Sequence, residues 1–189
     1  MYMAKKMNPT KVITGPSTLW SYVYVFEPKS INGGDPKYSI QLRIPESDTT
    51  TLKKITDAMR AAYEEGSAKL KGSSKTVPPY ETLKKALRNG SEEFPDDETM
   101  KGYMFLNANN TIKPGIVDAN LQPIIDRSEV YSGCFGRASI NFFVYNNNGN
   151  RGIGCSILNL QKMKDGPALG GHSRAEDDFA DLDEEDFLL

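Results

Sequence analysis

The first clear pattern along the chain lies at residues 17–26, where Trp20, Tyr22, Tyr24 and Phe26 share one parity and Leu19, Ser21, Val23 and Val25 the other. A strand that is apolar or amphipathic on both faces is covered on both, so this segment is predicted to be a central strand with its aromatic row in the core. Turn chemistry follows at residues 28–36, with Asn32, Gly33 and Gly34. Lys37–Pro45 then alternates cleanly. Tyr38, Ile40, Leu42 and Ile44 are predicted to face inward, and Lys37, Ser39, Gln41 and Arg43 outward.

At Ser47 or Asp48 the period changes. Leu52, Ile55, Met59, Ala62 and Tyr63 follow helical spacing, which predicts a capped helix to about Ala68. A Gly-, Ser- and Pro-rich linker at 72–79 leads to a short predicted helix from Tyr80 to about Arg88, stopped by Asn89-Gly90. The acidic segment 91–99, with Pro95, reads as a surface loop, and β-character resumes at 102–107.

The strongest hairpin signal comes last. Residues 136–145 alternate, an Asn-rich stretch with Gly149 supplies the positive φ angles of a tight reversal, and a return strand runs from Arg151 to about Leu160. Ala138, Ile140, Phe142 and Val144 form the apolar face of the first arm; Arg137, Ser139, Asn141, Phe143 and Tyr145 form the other. On the return arm Gly152, Gly154 and Ser156 leave one face nearly bare. Five or six strands with a helical insert at about 47–90 make a mainly β (α+β) domain, a small mixed barrel over residues 1–164. A Gly-rich linker (165–174) and a tail (175–189) follow.

Charge changes the picture most in that tail. Residues 175–189 hold eight carboxylates and no basic side chain. Taking these from the 25 in the chain leaves 17 against 23 basic residues, so the body carries about +6 although the whole chain carries −2. A basic body joined to an acidic tail is an asymmetry that accompanies nucleic-acid binding. So acidic a run has too little apolar area to offset the entropy of ordering and is expected to be disordered. Its end, Asp186-Phe187-Leu188-Leu189, has the form of an apolar anchor for docking on another protein, or for folding back over the basic body.

No apolar run reaches membrane-spanning length and no signal-peptide pattern is present, which leads to the expectation of a cytoplasmic protein without membrane contact. Cys134 and Cys155 lack metal-ligand spacing and read as buried free thiols. The sole histidine, His172, sits in the glycine linker, and neither a nucleophile elbow nor a phosphate-binding loop occurs. The expectation is a non-enzyme without metal or cofactor.

What remains is a binding face. Lys37, Arg43, Arg137 and Arg151 as phosphate contacts, with Phe143 and Tyr145 as rings on which bases stack, would hold a single strand without reading its sequence. The cations of the insert, Lys84, Lys85 and Arg88 among them, read mostly as solvated faces, with Lys69, Lys71 and Lys75 as a mobile clamp. A structural or assembly role, the tail serving for docking alone, is the alternative; a nuclease is a distant third.

The block Val130-Tyr131-Ser132-Gly133-Cys134-Phe135-Gly136-Arg137-Ala138-Ser139-Ile140-Asn141, the turn into Gly149-Asn150-Arg151-Gly152-Ile153, the segment Asn159-Leu160-Gln161-Lys162 with Asp165-Gly166, and the tail resemble the phage-encoded single-stranded DNA-binding proteins of OB-fold type. The resemblance implies a five-stranded OB-like barrel and the coating of single strands in phage replication, recombination or repair in the host cytoplasm. It implies a tail that recruits replication proteins such as polymerase, helicase or primase. A monomer or homodimer is expected.

Overall fold

The computed structural model describes residues 8–30 and 32–170. The predicted tail at 175–189, with Asp186, Phe187, Leu188 and Leu189, lies outside the described residues, as does His172.

Eight strands are found among the described residues: β1 (Lys11–Ile13), β2 (Leu19–Lys29), β3 (Lys37–Pro45), β4 (Arg88–Asn89), β5 (Tyr103–Asn110), β6 (Gly115–Val117), β7 (Phe135–Asn147) and β8 (Asn150–Lys164). Three helices, α1 (Thr49–Glu65), α2 (Ser67–Lys71) and α3 (Gly90–Glu93), are inserted between them. The strands pair in the order β1-β7-β2-β3-β5-β8-β6, and the added β7–β8 pairing closes β7, β2, β3, β5 and β8 into a ring. The predicted mainly β architecture with a helical insert is therefore present. Closure rests on a short parallel contact, Asn109 with Ser156, and on Leu19 with Phe135.

The hairpin turns on Asn148 (φ 53°) and Gly149 (φ 88°), two successive positive φ values that suit the right-handed twist of the flanking strands. Its parity is as predicted: Phe142 is 1% exposed and Phe143 40%. The core gathers Ala138, Ile140, Phe142 and Val144 from β7, Ile153, Cys155 and Ile157 from β8, and Ile40, Leu42 and Ile44 from β3.

Helix α1 covers this core with Ile55, Ala58, Met59 and Ala62. Asp48 caps it, its carboxylate accepting hydrogen bonds from the Thr51 amide (3.2 Å) and hydroxyl (2.7 Å). The helix stops three residues before the predicted end, at Gly66, where a Cβ would collide with the Val144 side chain. Only a residue without a side chain lets the helix approach β7 there.

Two expectations are corrected. The aromatic row of β2 is not a single core face, because Tyr22 has φ 47° and the β2–β3 register shifts after Ser21. Trp20 stays fully buried, its indole N–H donating to the Gly136 carbonyl at 3.2 Å, but Tyr22 and Tyr24 turn outward, 59% and 37% exposed. The bulge reverses the faces of the strand.

The predicted helix from Tyr80 is only a 3₁₀ turn, Tyr80–Thr82. Beyond it the chain extends along the sheet: the Ile153 amide donates to the Lys84 carbonyl at 2.8 Å, and β4 pairs with β5. Backbone pairing here outweighs a weak helical propensity. Asn89 begins α3 instead of ending a helix, its side chain accepting from the Glu92 amide at 3.2 Å. Segment 91–99 stays at the surface as predicted, exposed along most of its length. It lies across the outer face of the sheet, where Met100 is buried and Phe94 packs on Phe105 with ring centroids 5.6 Å apart.

Candidate nucleic-acid interface

The strand alternation puts Lys37, Ser39, Gln41 and Arg43 of β3 on the outer face, beside Phe105, Asn107 and Asn109 of β5, with Gln41 opposite Asn107 and Arg43 opposite Phe105. The segment crossing this face divides it. Under the segment, Arg43 is only 3% exposed. Its guanidinium donates to Gln41 Oε1 (2.8 Å), to the Thr99 hydroxyl (2.9 Å) and carbonyl (3.2 Å), and to the Ser21 hydroxyl (3.2 Å). Burial pushes its pKa down, while the negative charge of Asp97 and, more weakly, the tyrosines Tyr22 and Tyr103 oppose the shift. Arg43 therefore cannot meet a phosphate from the outer face, contrary to the sequence-based expectation: strand alternation cannot reveal that a later segment covers one end of the face.

Beyond the segment the face opens into two grooves of about 640 Å³ each. Tyr22, Tyr24 and Lys29 of β2 line the first, with Lys37, Ser39 and Gln41. Phe143 and Tyr145 line the second, with Gly154 and residues 83–88. Lys37, Asn107 and Asn109 belong to both, so the two join into one trough across the sheet. Its lining holds Lys29, Lys37, Lys84, Lys85 and Arg88 against one carboxylate, Asp35.

These cations are not equivalent. Lys29 lies 4.3 Å from the centre of the Tyr24 ring. Lys85 donates to the Tyr80 carbonyl at 2.9 Å, and Arg88 pairs with Glu93 at 3.1 Å. The side chains of Lys37 and Lys84 have no hydrogen-bond or ion-pair partner among the described residues, and both are exposed.

The bare face expected at Gly152 and Gly154 is occupied by the protein's own rings. A Cβ on Gly154 would stand 2.7 Å from Phe143 Cζ, and one on Gly152 would stand 2.5 Å from the Tyr145 hydroxyl oxygen. The glycines let the two rings lie close against β8, so the room for a base is on the side of the rings turned away from that strand.

The remaining predicted contacts are not brought together. Arg137 faces outward on β7, but six residues from Phe143 on a strand is about 20 Å. It lines a separate hollow with Gly15, Asp48 and Lys54. Arg151 is opposite Asn146, on the other face of the hairpin from Tyr145, and its guanidinium donates to Ser74 at 2.6 Å. That loop is no free clamp, since Asn146 also donates to the Lys69 carbonyl at 3.0 Å. Sequence reasoning missed Tyr22 and Tyr24, hidden by the bulge, and Lys84, whose place follows from the chain running along β8.

A ring of strands that opens exposed tyrosine and phenylalanine rings, amides and cations along one outer trough defines the class of small β-proteins that hold single-stranded nucleic acid. The chain belongs to the family described as Enterobacter phage Enc34, ssDNA-binding protein, whose family model matches residues 10–189. It is 30% identical over 177 residues to "Putative protein p50" of Acyrthosiphon pisum secondary endosymbiont phage 1, covering 87% of this chain and 91% of that one. In fold it is similar to the single-stranded DNA-binding protein from bacteriophage Enc34 in complex with ssDNA, with TM-score 0.68, 22% identity, and 85% and 90% of the two chains covered. It is also similar to gp2.5, a single-stranded DNA-binding protein encoded by bacteriophage T7, with TM-score 0.60, 17% identity, and 95% and 97% covered.

Proposed function

We propose that this phage protein binds single-stranded DNA without reading its sequence, along the trough that joins Tyr22 and Tyr24 to Phe143 and Tyr145. The observation that carries this reading is the sharing of Lys37, Asn107 and Asn109 by both grooves, which gives one cationic path with stacking rings at each end. Lys37 and Lys84 follow the phosphates; Phe143, Tyr145, Tyr22 and Tyr24 meet bases. The role is coating single strands in phage DNA replication, recombination or repair in the host cytoplasm, as a monomer or homodimer, without a catalytic step.

The tail, with Asp186, Phe187, Leu188 and Leu189, competes with DNA for the trough and docks replication partners such as polymerase, helicase or primase. Support comes from its eight carboxylates facing a body of about +6. A mobility-shift assay with single-stranded, duplex and RNA competitors at rising salt tests the reading. Preferential, salt-dependent retention of the single strand is expected; no retention at low salt would overturn it and favour an assembly role.

A further inference from the structure

The buried Arg43 begins a chain of hydrogen bonds that ends in the middle of the trough. A guanidinium donates and never accepts, so the contact of Arg43 Nε with Gln41 at 2.8 Å fixes which end of the Gln41 amide is oxygen. The amide's NH₂ end then faces Asn107, its cross-strand partner, and Gln41 Nε2 donates to Asn107 Oδ1 at 3.4 Å. With that oxygen engaged, the Nδ2 end of Asn107 is left for the trough. Asn107 is exposed and lines both grooves.

On its other side Arg43 is anchored as firmly. The Thr99 hydroxyl accepts from the guanidinium at 2.9 Å and donates to the Asp97 carboxylate at 2.6 Å. The bonds thus run outward from Arg43 in two arms, through Thr99 to Asp97 and through Gln41 to Asn107, and within each arm the successive bonds reinforce each other.

We propose that Asn107 is an oriented hydrogen-bond donor to the base edge at the centre of the trough, with Arg43 and Gln41 as the positioning residues that set its direction. This rests on the single-strand-binding reading and deepens it. Every base offers a carbonyl oxygen or ring nitrogen, so one donor tolerates any sequence. Thymine alone among the DNA bases has no exocyclic amino group. A donor at this point binds either thymine carbonyl, whereas an acceptor there can take from thymine only the N3–H, set between those two carbonyls, and so favours the projecting amino groups of adenine and cytosine.

The direction can be reversed in two independent ways. In Gln41→Glu the carboxylate still accepts from Arg43 but has no proton for Asn107, whose amide then rotates its oxygen toward the trough. Asn107→Asp puts an acceptor there directly, at an exposed position where folding is not at stake. Each adds one negative charge, which weakens all oligonucleotides alike, so the affinity ratio of oligo-dT to oligo-dA and oligo-dC isolates the direction.

At fixed ionic strength, full-length protein should show this ratio falling about three- to tenfold in both variants, the worth of one hydrogen bond. An unchanged ratio in both, with affinity for single strands retained, overturns the inference and leaves the function intact. A ratio moved by Asn107→Asp but not by a folded Gln41→Glu overturns the positioning role. Failure of the unaltered protein to bind any of the oligonucleotides overturns the function itself.

Discussion

The ring of Phe143 lies across Gly154, its antiparallel partner on β8, so closely that a Cβ there would stand 2.7 Å from Cζ. The glycine is thus the seat of a ring that is 40% exposed on its other side. Phe143→Ala is expected to cost about 1–3 kcal/mol of single-strand affinity with little loss of stability. Phe142→Ala, on the buried face, is expected to cost about 3–5 kcal/mol of stability. Oligonucleotide titration and denaturant melts of the pair check both, and exchanged phenotypes would show the trough to be on the wrong face.

Lys37 stands where the two grooves meet and its ammonium is unpaired among the described residues. Lys37→Ala should weaken binding to every sequence and make the dependence of log affinity on log salt shallower by about 0.7, the share of one phosphate on a single strand. Arg137→Ala, in its separate hollow, should change that slope less. Equal effects would mean that the strand runs past both.

Removing residues 175–189 takes away eight negative charges. If they compete with DNA for the trough, affinity should rise, most at low salt, and the gain should shrink as salt screens the charges. Phe187→Ala removes the apolar anchor and no charge, so it should abolish partner docking and barely move DNA affinity. Pull-down and titration of the two variants side by side separate charge from anchor; no change in either assay would reduce the tail to a solubility device.

Both thiols are buried, and desolvation pushes the pKa of Cys134 and of Cys155 above the ordinary thiol value. The folded state therefore keeps protons that the unfolded chain gives up. The corresponding stability is complete below the unfolded thiol pKa, about 8.5, and is lost as pH rises from there toward the folded values. Native protein at pH 8 should resist alkylation that the denatured chain undergoes at once; mass spectrometry of both states decides it.

The sequence is most legible where alternation meets a single covering surface. Lys37–Pro45 has its predicted bounds, and the β7–β8 hairpin has its predicted turn and faces. Legibility ends where distant chain intervenes. Nothing near Arg43 announces that residues 97–100 will fold over it, and nothing in Trp20 to Phe26 marks Tyr22 as the point where the strand bulges. Phe143, Tyr145 and Lys37 were readable as an outward set because period-two patterning places them. Tyr22, Tyr24 and Lys84 reach the same trough through a backbone irregularity and a parallel bridge, neither of which leaves a residue pattern.

Strand β8 pairs with β7, β5 and β6 alike, and it is the last of the eight to be synthesised. A nascent chain that has left the ribosome only as far as residue 149 holds β6 without its partner strand and β5 paired only with β3 and β4, and lacks the glycine shelf for Phe143 and Tyr145. Its unpaired edges are open to mispairing for as long as translation takes to supply fifteen further residues. The trough is thus completed late: its Phe143 and Tyr145 end takes shape only once β8 has emerged.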